Sequence, residues 1–129
     1  MDVKISFEGG LKINAHANEF ILKTDQSIAG GGEASAPEPF TLFLGAIGTC
    51  AGYYALKFCQ TRDISMEGIE IKLSDDFNME KKRAENIKIT FNLPNSFPKK
   101  YHQALIKSVN LCSVKNTINF GPNIDISII

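Results

Sequence analysis

The three cysteines of this 129-residue sequence are its most distinctive candidates for chemistry. Cys50 lies inside a long apolar segment, and Cys112 lies on the apolar face of a second predicted helix. Two interpretations are open: each cysteine packs as a small hydrophobe, or the two helices bring Cys50 and Cys112 together as a redox couple. Cys59 follows Cys50 by about 900° of helical rotation, so it faces the opposite side and is interpreted as a packing residue.

Any reactivity of Cys50 must come from outside its own helix. A reactive thiol needs a helix N-terminus, a cation or a base close to its sulfur. Cys50 lies about ten residues beyond the predicted helix start, where the effect of the helix dipole has faded. We therefore expect any activating group to approach Cys50 from another element of the fold.

Other reaction types lack the residues that they need. The sequence has no C-x-x-C, H-x-x-x-H or H-E-x-x-H spacing, so neither a zinc site nor any other cofactor is expected. A G-x-S-x-G nucleophile motif is also absent. His16 and His102 are predicted to be a strand residue and a solvated helix residue. The run Gly30-Gly31-Gly32 is predicted to be a flexible loop, because no Gly-Lys-Ser/Thr follows it.

Composition limits the class of protein and its partners. Fourteen basic residues balance fourteen acidic ones, which argues against nucleic acid as a partner. The hydrophobic content of 43% is sufficient for a core. Three cysteines are too few for a disulfide-rich secreted scaffold, and the first residues lack the features of a signal peptide. We predict a cytoplasmic protein with a single domain spanning residues 1–129.

Residues 1–39 are predicted to contain strands followed by a Gly/Pro-rich loop. Apolar residues alternate with polar ones on both sides of Gly9-Gly10, a pattern typical of a β-hairpin. A third strand is predicted to begin at Phe20. The composition then changes to glycine, serine and proline, which indicates a loop leading to the next element.

Residues 40–62 are predicted to form a central helix that is apolar on nearly every face. A membrane span needs about 20 apolar residues, but Lys57 interrupts the run and both flanks are amphipathic. We therefore predict a buried core helix, with no membrane as partner and with Gly45, Gly48 and Gly52 as points of close approach. One small domain offers too little surface to cover such a helix, which predicts a homodimer.

Residues 63–129 are predicted to contain strands, a second helix and a closing strand. Alternating apolar residues from Ile64 lead to a polar turn at residues 74–76, and a second run ends at Leu93. Ser96 and Pro98 favour a helix start, and the helical face extends to Cys112. Isoleucines alternate over residues 124–128. This order of elements predicts an α+β fold with antiparallel sheets.

The sequence resembles the OsmC/Ohr family of organic hydroperoxide resistance and osmotically induced proteins. The resemblance is carried by GGGEASAPEPFTLFLGAIGTCAGYYALKFC and by the later segment LCSVKNTI, and it covers essentially the whole chain. It looks closest to the OsmC-like branch rather than to the well-studied peroxidases. It implies antiparallel sheets wrapped around long central helices in an intertwined homodimer.

The resemblance also implies a thiol peroxidase that acts in the oxidative stress response. Cys50 matches the peroxidatic position, whose thiolate attacks the peroxide bond and becomes a sulfenic acid. Cys112 matches the resolving position, which closes a disulfide that a dithiol reductant of the lipoyl type then reduces. Organic hydroperoxides are the expected substrates, with Phe40, Phe43 and Leu44 lining the pocket.

The sequence departs from the peroxidases at two activating positions. They use an arginine from the N-terminal hairpin and a glutamate before the helix cysteine. Here the only arginines are Arg62 and Arg83, Phe40 stands near the glutamate position, and the role is not assigned to Glu38. Two alternatives therefore stay open: a non-catalytic dimer that binds a small hydrophobic ligand, and a thiol–disulfide switch. The first alternative predicts an ordinary pKa near 8.5 for Cys50.

Overall fold

The structure, a computed structural model, describes all residues from 1 to 129 and contains two antiparallel sheets and three α-helices. The α+β prediction is therefore confirmed. The chain forms two compact units, Met1–Gly45 and Ala46–Ile129. The strands are β1 (Val3–Phe7), β2 (Ile13–Ala17), β3 (Phe20–Thr24), β4 (Glu70–Asn78) and β5 (Arg83–Asn92), and the helices are α1 (Pro39–Thr61), α2 (His102–Val109) and α3 (Ser113–Phe120).

The first unit contains a three-stranded antiparallel sheet in the order β1-β2-β3. Ala15 in the central strand pairs with Ile5 on one side and Leu22 on the other. Gly9 and Gly10 have φ angles of 93° and 56°, which residues with a side chain rarely adopt. The hairpin across Gly9-Gly10 and the third strand from Phe20 are confirmed.

The long helix α1 begins and ends one residue earlier than the predicted range 40–62. Pro39 fits its first turn because the missing N–H would have no partner there. Toward the second half of α1 the buried residues form one stripe, and other positions remain exposed, including Tyr53 at 57%. The buried residues of the stripe are Ile47, Ala51, Ala55, Phe58 and Cys59.

Within one chain, α1 is less buried than the sequence indicated. Its length and apolar composition would suit a membrane-crossing helix, but the core helix of a soluble protein has the same properties. Only 28% of its most apolar 18-residue stretch is buried. A Cβ at Gly48 would lie 4.0 Å from Leu73, and one at Gly52 would meet no atom within 4 Å. A Cβ at Gly45 would also meet no atom within 4 Å. Within one chain, the predicted close approach is therefore wrong at Gly45 and Gly52, and at Gly48 the contact is an ordinary van der Waals contact.

The second unit contains the hairpin β4–β5, in which Leu73 pairs with Ile89. The predicted turn at residues 74–76 is wrong, because these residues continue β4 and the chain turns at residues 79–82. A two-stranded ribbon with one exposed face accepts polar residues inside a strand, so their polarity did not mark its end. The pairing register shifts between Asp76 and Phe77.

The predicted second helix is divided in the structure. Residues Lys99–Tyr101 form a 3-10 turn that begins after Pro98 and has no side-chain cap, so the predicted cap at Ser96 is wrong. Helix α2 ends at Val109, and Cys112 lies beyond it as the N-cap of α3. The sulfur of Cys112 accepts a hydrogen bond from the backbone N–H of Lys115 at 3.3 Å.

The closing strand predicted over residues 124–128 is also wrong. Gly121, with a φ of 54°, ends α3, and residues 121–129 contain neither helix nor strand. Ile124, Ile126 and Ile128 are at least 83% exposed. Alternation alone does not make a strand, because a strand also needs a pairing partner, and none of the five strands pairs with this segment.

Candidate active site

The structure places the thiols of Cys50 and Cys112 close enough for each to shift the pKa of the other through hydrogen bonding. Cys50 lies in α1 and is half-buried, whereas Cys112 is buried at the start of α3. Both thiols are free, as is that of Cys59. Two cysteines distant in the chain therefore form one site, with the partly accessible sulfur on Cys50.

The surroundings of Cys50 favour its ionised form. Burial raises the pKa of the Cys50 thiol, but the combined hydrogen bonds to its sulfur lower the pKa below the ordinary value. The donors are the Cys112 thiol, the backbone N–H groups of Val114 and Ser113, and the Ser113 hydroxyl. Hydrogen bonds to a thiolate stabilise the charged form. The activating groups thus come from another element, as the position of Cys50 within α1 predicted.

The surroundings of Cys112 instead favour its protonated form. Burial raises the pKa of Cys112, and the hydrogen bond to Cys50 and the charge of that thiolate raise it further. The backbone N–H of Lys115 opposes this shift without cancelling it. Cys50 therefore loses its proton first, and Cys112 keeps a proton that it donates to the neighbouring sulfur.

Cys59 lies outside this site. It is completely buried in the hydrophobic cluster of the second unit, together with Ala55 and Leu105. Burial raises the pKa of Cys59, although the charge of Arg62 partly offsets the effect. These surroundings agree with the interpretation of Cys59 as a packing residue.

Neither arginine supplies a charge to Cys50. The Arg62 guanidinium lies 3.7 Å from the centroid of the Phe58 ring and donates a hydrogen bond to the Phe58 carbonyl. Arg83 begins β5, where its charge acts on Glu85. The groups that lower the pKa of Cys50 are instead the Cys112 thiol and donors in the first turn of α3, a helix that the sequence did not predict.

A groove of about 290 Å³ lies between β5 and the helices α1 and α3. Ile47 lies one turn before Cys50 on α1, and the backbone of Lys115 contacts Cys112, so both helices of the site also border the groove. Its lining is mostly apolar and does not include the expected Phe40, Phe43 or Leu44. The lining residues are Ile47, Ala84, Glu85, Ile87, Ile89, Lys115, Ile118 and Asn119.

The aromatic residues at the start of α1 instead contact each other within the first unit. Phe40 and Phe43 stack with ring centroids 5.5 Å apart. Nearby, the backbone N–H of Ser27 donates to Glu38 at 2.9 Å, and this bond, with the Ser27 hydroxyl, lowers the pKa of Glu38. Glu38 therefore stabilises the preceding loop.

Asp25 is a buried residue that sequence reasoning missed. Its carboxylate is 1% exposed and accepts the Ser35 hydroxyl at 2.6 Å, together with backbone N–H groups of Ser35, Gln26 and Glu33. The Ser35 bonds lower its pKa most, burial opposes them, and the net pKa is about 2. An Asp followed by Gly- and Ser-rich sequence is typical of side-chain-to-backbone turns, a signal that could have revealed this role.

The glycine-rich loop folds closely around Asp25. A Cβ at Gly32 would lie 2.2 Å from the backbone oxygen of Gln26, so only glycine fits there. The loop is therefore anchored at its centre by a buried carboxylate, in place of the flexible loop that the sequence indicated.

The two histidines lie away from any metal-binding group. His16 forms a 2.8 Å hydrogen bond with Ser6, and the His102 ring lies 5.7 Å from the ring of Phe97. No group of three or more His, Cys, Asp or Glu side chains is placed to hold a metal ion.

Comparison with known proteins identifies the family. The family model described as OsmC-like protein matches residues 30–127. No curated protein matches the sequence significantly.

Solved structures share the fold at low sequence identity. A Psychrobacter arcticus structure, named for an osmotic stress induced and detoxification response, has a TM-score of 0.75 at 15% identity, covering 89% of this chain and 85% of that one. The organic hydroperoxide resistance protein OsmC of Legionella pneumophila has 0.57 at 17%, covering 92% and 89%. The organic hydroperoxide resistance protein OhrB of Bacillus subtilis has 0.53 at 18%, covering 91% and 90%.

These likenesses at low identity show the fold, and the family match spans most of the chain. The OsmC/Ohr resemblance of the sequence is thereby confirmed. This chain belongs to the OsmC-like protein family.

Proposed function

We propose that this protein is a thiol-dependent reductase of organic hydroperoxides, with Cys50 as the peroxidatic and Cys112 as the resolving cysteine. The observation that carries the proposal is that two neighbouring thiols have pKa values shifted in opposite directions. Hydrogen bonds lower the pKa of Cys50, and burial raises that of Cys112. A thiolate nucleophile beside a protonated thiol is the arrangement that peroxide reduction followed by disulfide closure needs.

The proposed reaction has two steps. The Cys50 thiolate attacks one peroxide oxygen, so that an S–O bond forms, the O–O bond breaks, and the departing alkoxide takes a proton and leaves as an alcohol. Cys112 then attacks the sulfenic sulfur of Cys50. An S–S bond forms, and the hydroxyl of the sulfenic acid leaves as water with the proton of Cys112.

The groove bordered by α1 and α3 supports an organic rather than an inorganic peroxide. Ile47, Ile87 and Ile118 give it an apolar wall that suits the hydrocarbon part of such a molecule. Lys115 and Glu85 supply charges on the same lining. Several members of this fold carry names that refer to organic hydroperoxide resistance.

The proposal includes the partners that the reaction requires. A dithiol of the lipoyl type would reduce the disulfide, because its second thiol releases the first mixed disulfide within the molecule. Free thiols are maintained in reducing compartments, so we propose a cytoplasmic location. We further propose a homodimer as the working unit.

Steady-state turnover tests the function. With cumene hydroperoxide and dihydrolipoamide, the wild-type protein should consume peroxide, Cys50→Ser should have no activity, and Cys112→Ser should lose recycling through the disulfide. Cys59→Ala is the matched control and should retain turnover, because Cys59 lies in the core away from the site. Turnover that survives Cys50→Ser would refute the proposal.

A non-catalytic ligand binder is the second candidate, supported by the missing hairpin arginine and the apolar groove. It predicts an ordinary Cys50 pKa, whereas the hydrogen bonds at this sulfur lower it. The thiol–disulfide switch shares the chemistry of the leading proposal. Only catalytic turnover with a dithiol separates these two.

A further inference from the structure

We propose that α3 is a redox-responsive helix: the reduced cysteine pair caps its N-terminus, and closure of the Cys50–Cys112 disulfide loosens α3. The proposal rests on the proposed function in one respect, since the disulfide is an intermediate of that reaction. It goes further by assigning a conformational consequence to α3 itself.

The caps of α3 are the two sulfurs of the site. The first N–H groups of any α-helix have no partner within the helix. In α3, the N–H of Lys115 donates to the sulfur of Cys112 at 3.3 Å, which makes Cys112 the N-cap. The N–H groups of Ser113 and Val114 lower the pKa of Cys50, and that of Val114 also lowers the pKa of Cys112. The cysteine pair therefore satisfies the donors that open this helix.

Little else stabilises α3. The helix has eight residues and none of them is buried, whereas isolated helices shorter than about 12–15 residues are marginal in water. Ile118 is 40% exposed and Phe120 is 87% exposed. The isoleucines of residues 121–129 are also exposed, so this segment contributes little packing.

Oxidation of the cysteine pair removes the charge and the hydrogen-bond acceptors at the N-terminus of α3. A thiolate at a helix N-terminus stabilises the helix through its negative charge and its acceptor strength. In the disulfide, each sulfur is bonded to the other, the charge is gone, and the sulfur is a poor acceptor. The donors of Ser113, Val114 and Lys115 then lose their partners, so α3 should open more often.

The coupling is reciprocal, so changes in α3 should alter Cys50. Ser113→Pro removes one N–H and the hydroxyl, while proline at the first helical position preserves the helix. Cys112, with φ −53° and ψ 115°, lies outside the α region that a following proline disfavours. Ser113→Ala removes the hydroxyl alone. Ser108→Ala is the control, because Ser108 bonds the Tyr54 carbonyl and no cysteine.

Alkylation with iodoacetamide measures this direction of the coupling. Cys50 should react more slowly at neutral pH in Ser113→Pro than in wild type, with Ser113→Ala between them and Ser108→Ala unchanged. Equal pH profiles for Cys50 in wild type and Ser113→Pro would overturn the assignment of α3 as its activating element.

Hydrogen exchange measures the redox direction. Diamide oxidises the pair without peroxide, because the two thiol hydrogens pass to its N=N bond as the S–S bond forms. Amides of residues 116–120 should exchange roughly two- to five-fold faster in the oxidised protein, the factor that corresponds to loss of a charge at a helix N-terminus. Cys50→Ser should show no redox response, and Cys59→Ala should retain it.

The outcomes separate this proposal from the enzymatic one. Equal exchange in the reduced and oxidised proteins, or failure of diamide to join Cys50 to Cys112, would overturn the redox-responsive helix. Absence of peroxide turnover with faster exchange after diamide would refute the reductase and leave the helix response intact.

Discussion

At the scale of single residues, the proposed chemistry depends on the contrast between the pKa shifts of two neighbouring thiols. The pKa of Cys50 is lowered by donors on α3, whereas burial raises those of Cys112 and Cys59. Sequence reasoning selected Cys50 and Cys112 through family resemblance, because separation along the chain does not reveal a contact in space. The activating N–H groups could not be predicted, since they belong to backbone placed by tertiary structure.

The acidity difference can be measured for each cysteine. Cys50 should be alkylated at lower pH than Cys112 or Cys59, with peptides separated by mass spectrometry. Cys112→Ala removes the thiol donor, so the Cys50 profile should move to higher pH. The Cys59→Ala profile should match wild type, and a Cys50 profile that is unchanged in Cys112→Ala would contradict the hydrogen bond between the thiols.

At the scale of elements, the strongest patterns predicted the structure best. The long, largely apolar run predicted α1 to within one residue, and alternation across Gly9-Gly10 predicted the first hairpin. Helix α3 was missed because Ser113, Asn116 and Thr117 have low helix propensity, so its caps rather than its composition support it. The loop around Asp25 shows the same limit, because burial of a carboxylate is a tertiary property.

The buried carboxylate of Asp25 should contribute to the thermal stability of the protein. In Asp25→Asn, the amide nitrogen faces backbone N–H groups without accepting from them, so the melting temperature should fall by roughly 5 °C near pH 7. Asp75→Asn, on an exposed strand position, should change the melting temperature little.

The contribution of Asp25 to stability should depend on pH. Because the pKa of Asp25 is about 2 in the folded state and about 3.9 unfolded, its contribution to stability is complete above about pH 4 and is lost as pH falls toward 2. Thermal melts of both variants across this range would contradict the account if the difference between wild type and Asp25→Asn did not shrink.

At the scale of the whole molecule, one chain leaves much apolar surface exposed. Only 28% of the most apolar stretch of α1 is buried, and Tyr53 and Leu56 are 57% and 38% exposed. Strands β1 and β3 add Ile5 at 56% and Phe20 at 70%. The sequence-based expectation that a second copy covers α1 therefore stays a prediction. The exposed apolar residues of α1, β1 and β3 are the surfaces that this copy would cover.

Light scattering coupled to size exclusion should give about twice the 14.2 kDa of one chain at micromolar concentration. Leu56→Glu places a charge on the exposed side of α1 and should shift the mass toward one chain. Lys57→Glu, at the next exposed position of the same helix, is the charge control and should remain dimeric. A wild-type mass of 14.2 kDa would refute the dimer.

The central claim is that Cys50 and Cys112 are the pair that a hydroperoxide oxidises. Intact mass spectrometry after one equivalent of cumene hydroperoxide, followed by peptide mapping, tests it most directly. We expect the loss of two hydrogen atoms and a single Cys50–Cys112 disulfide in wild type, and a stable sulfenic acid on Cys50 in Cys112→Ser. An unchanged mass, or oxidation that maps to Cys59 while Cys50 stays reduced, would contradict it.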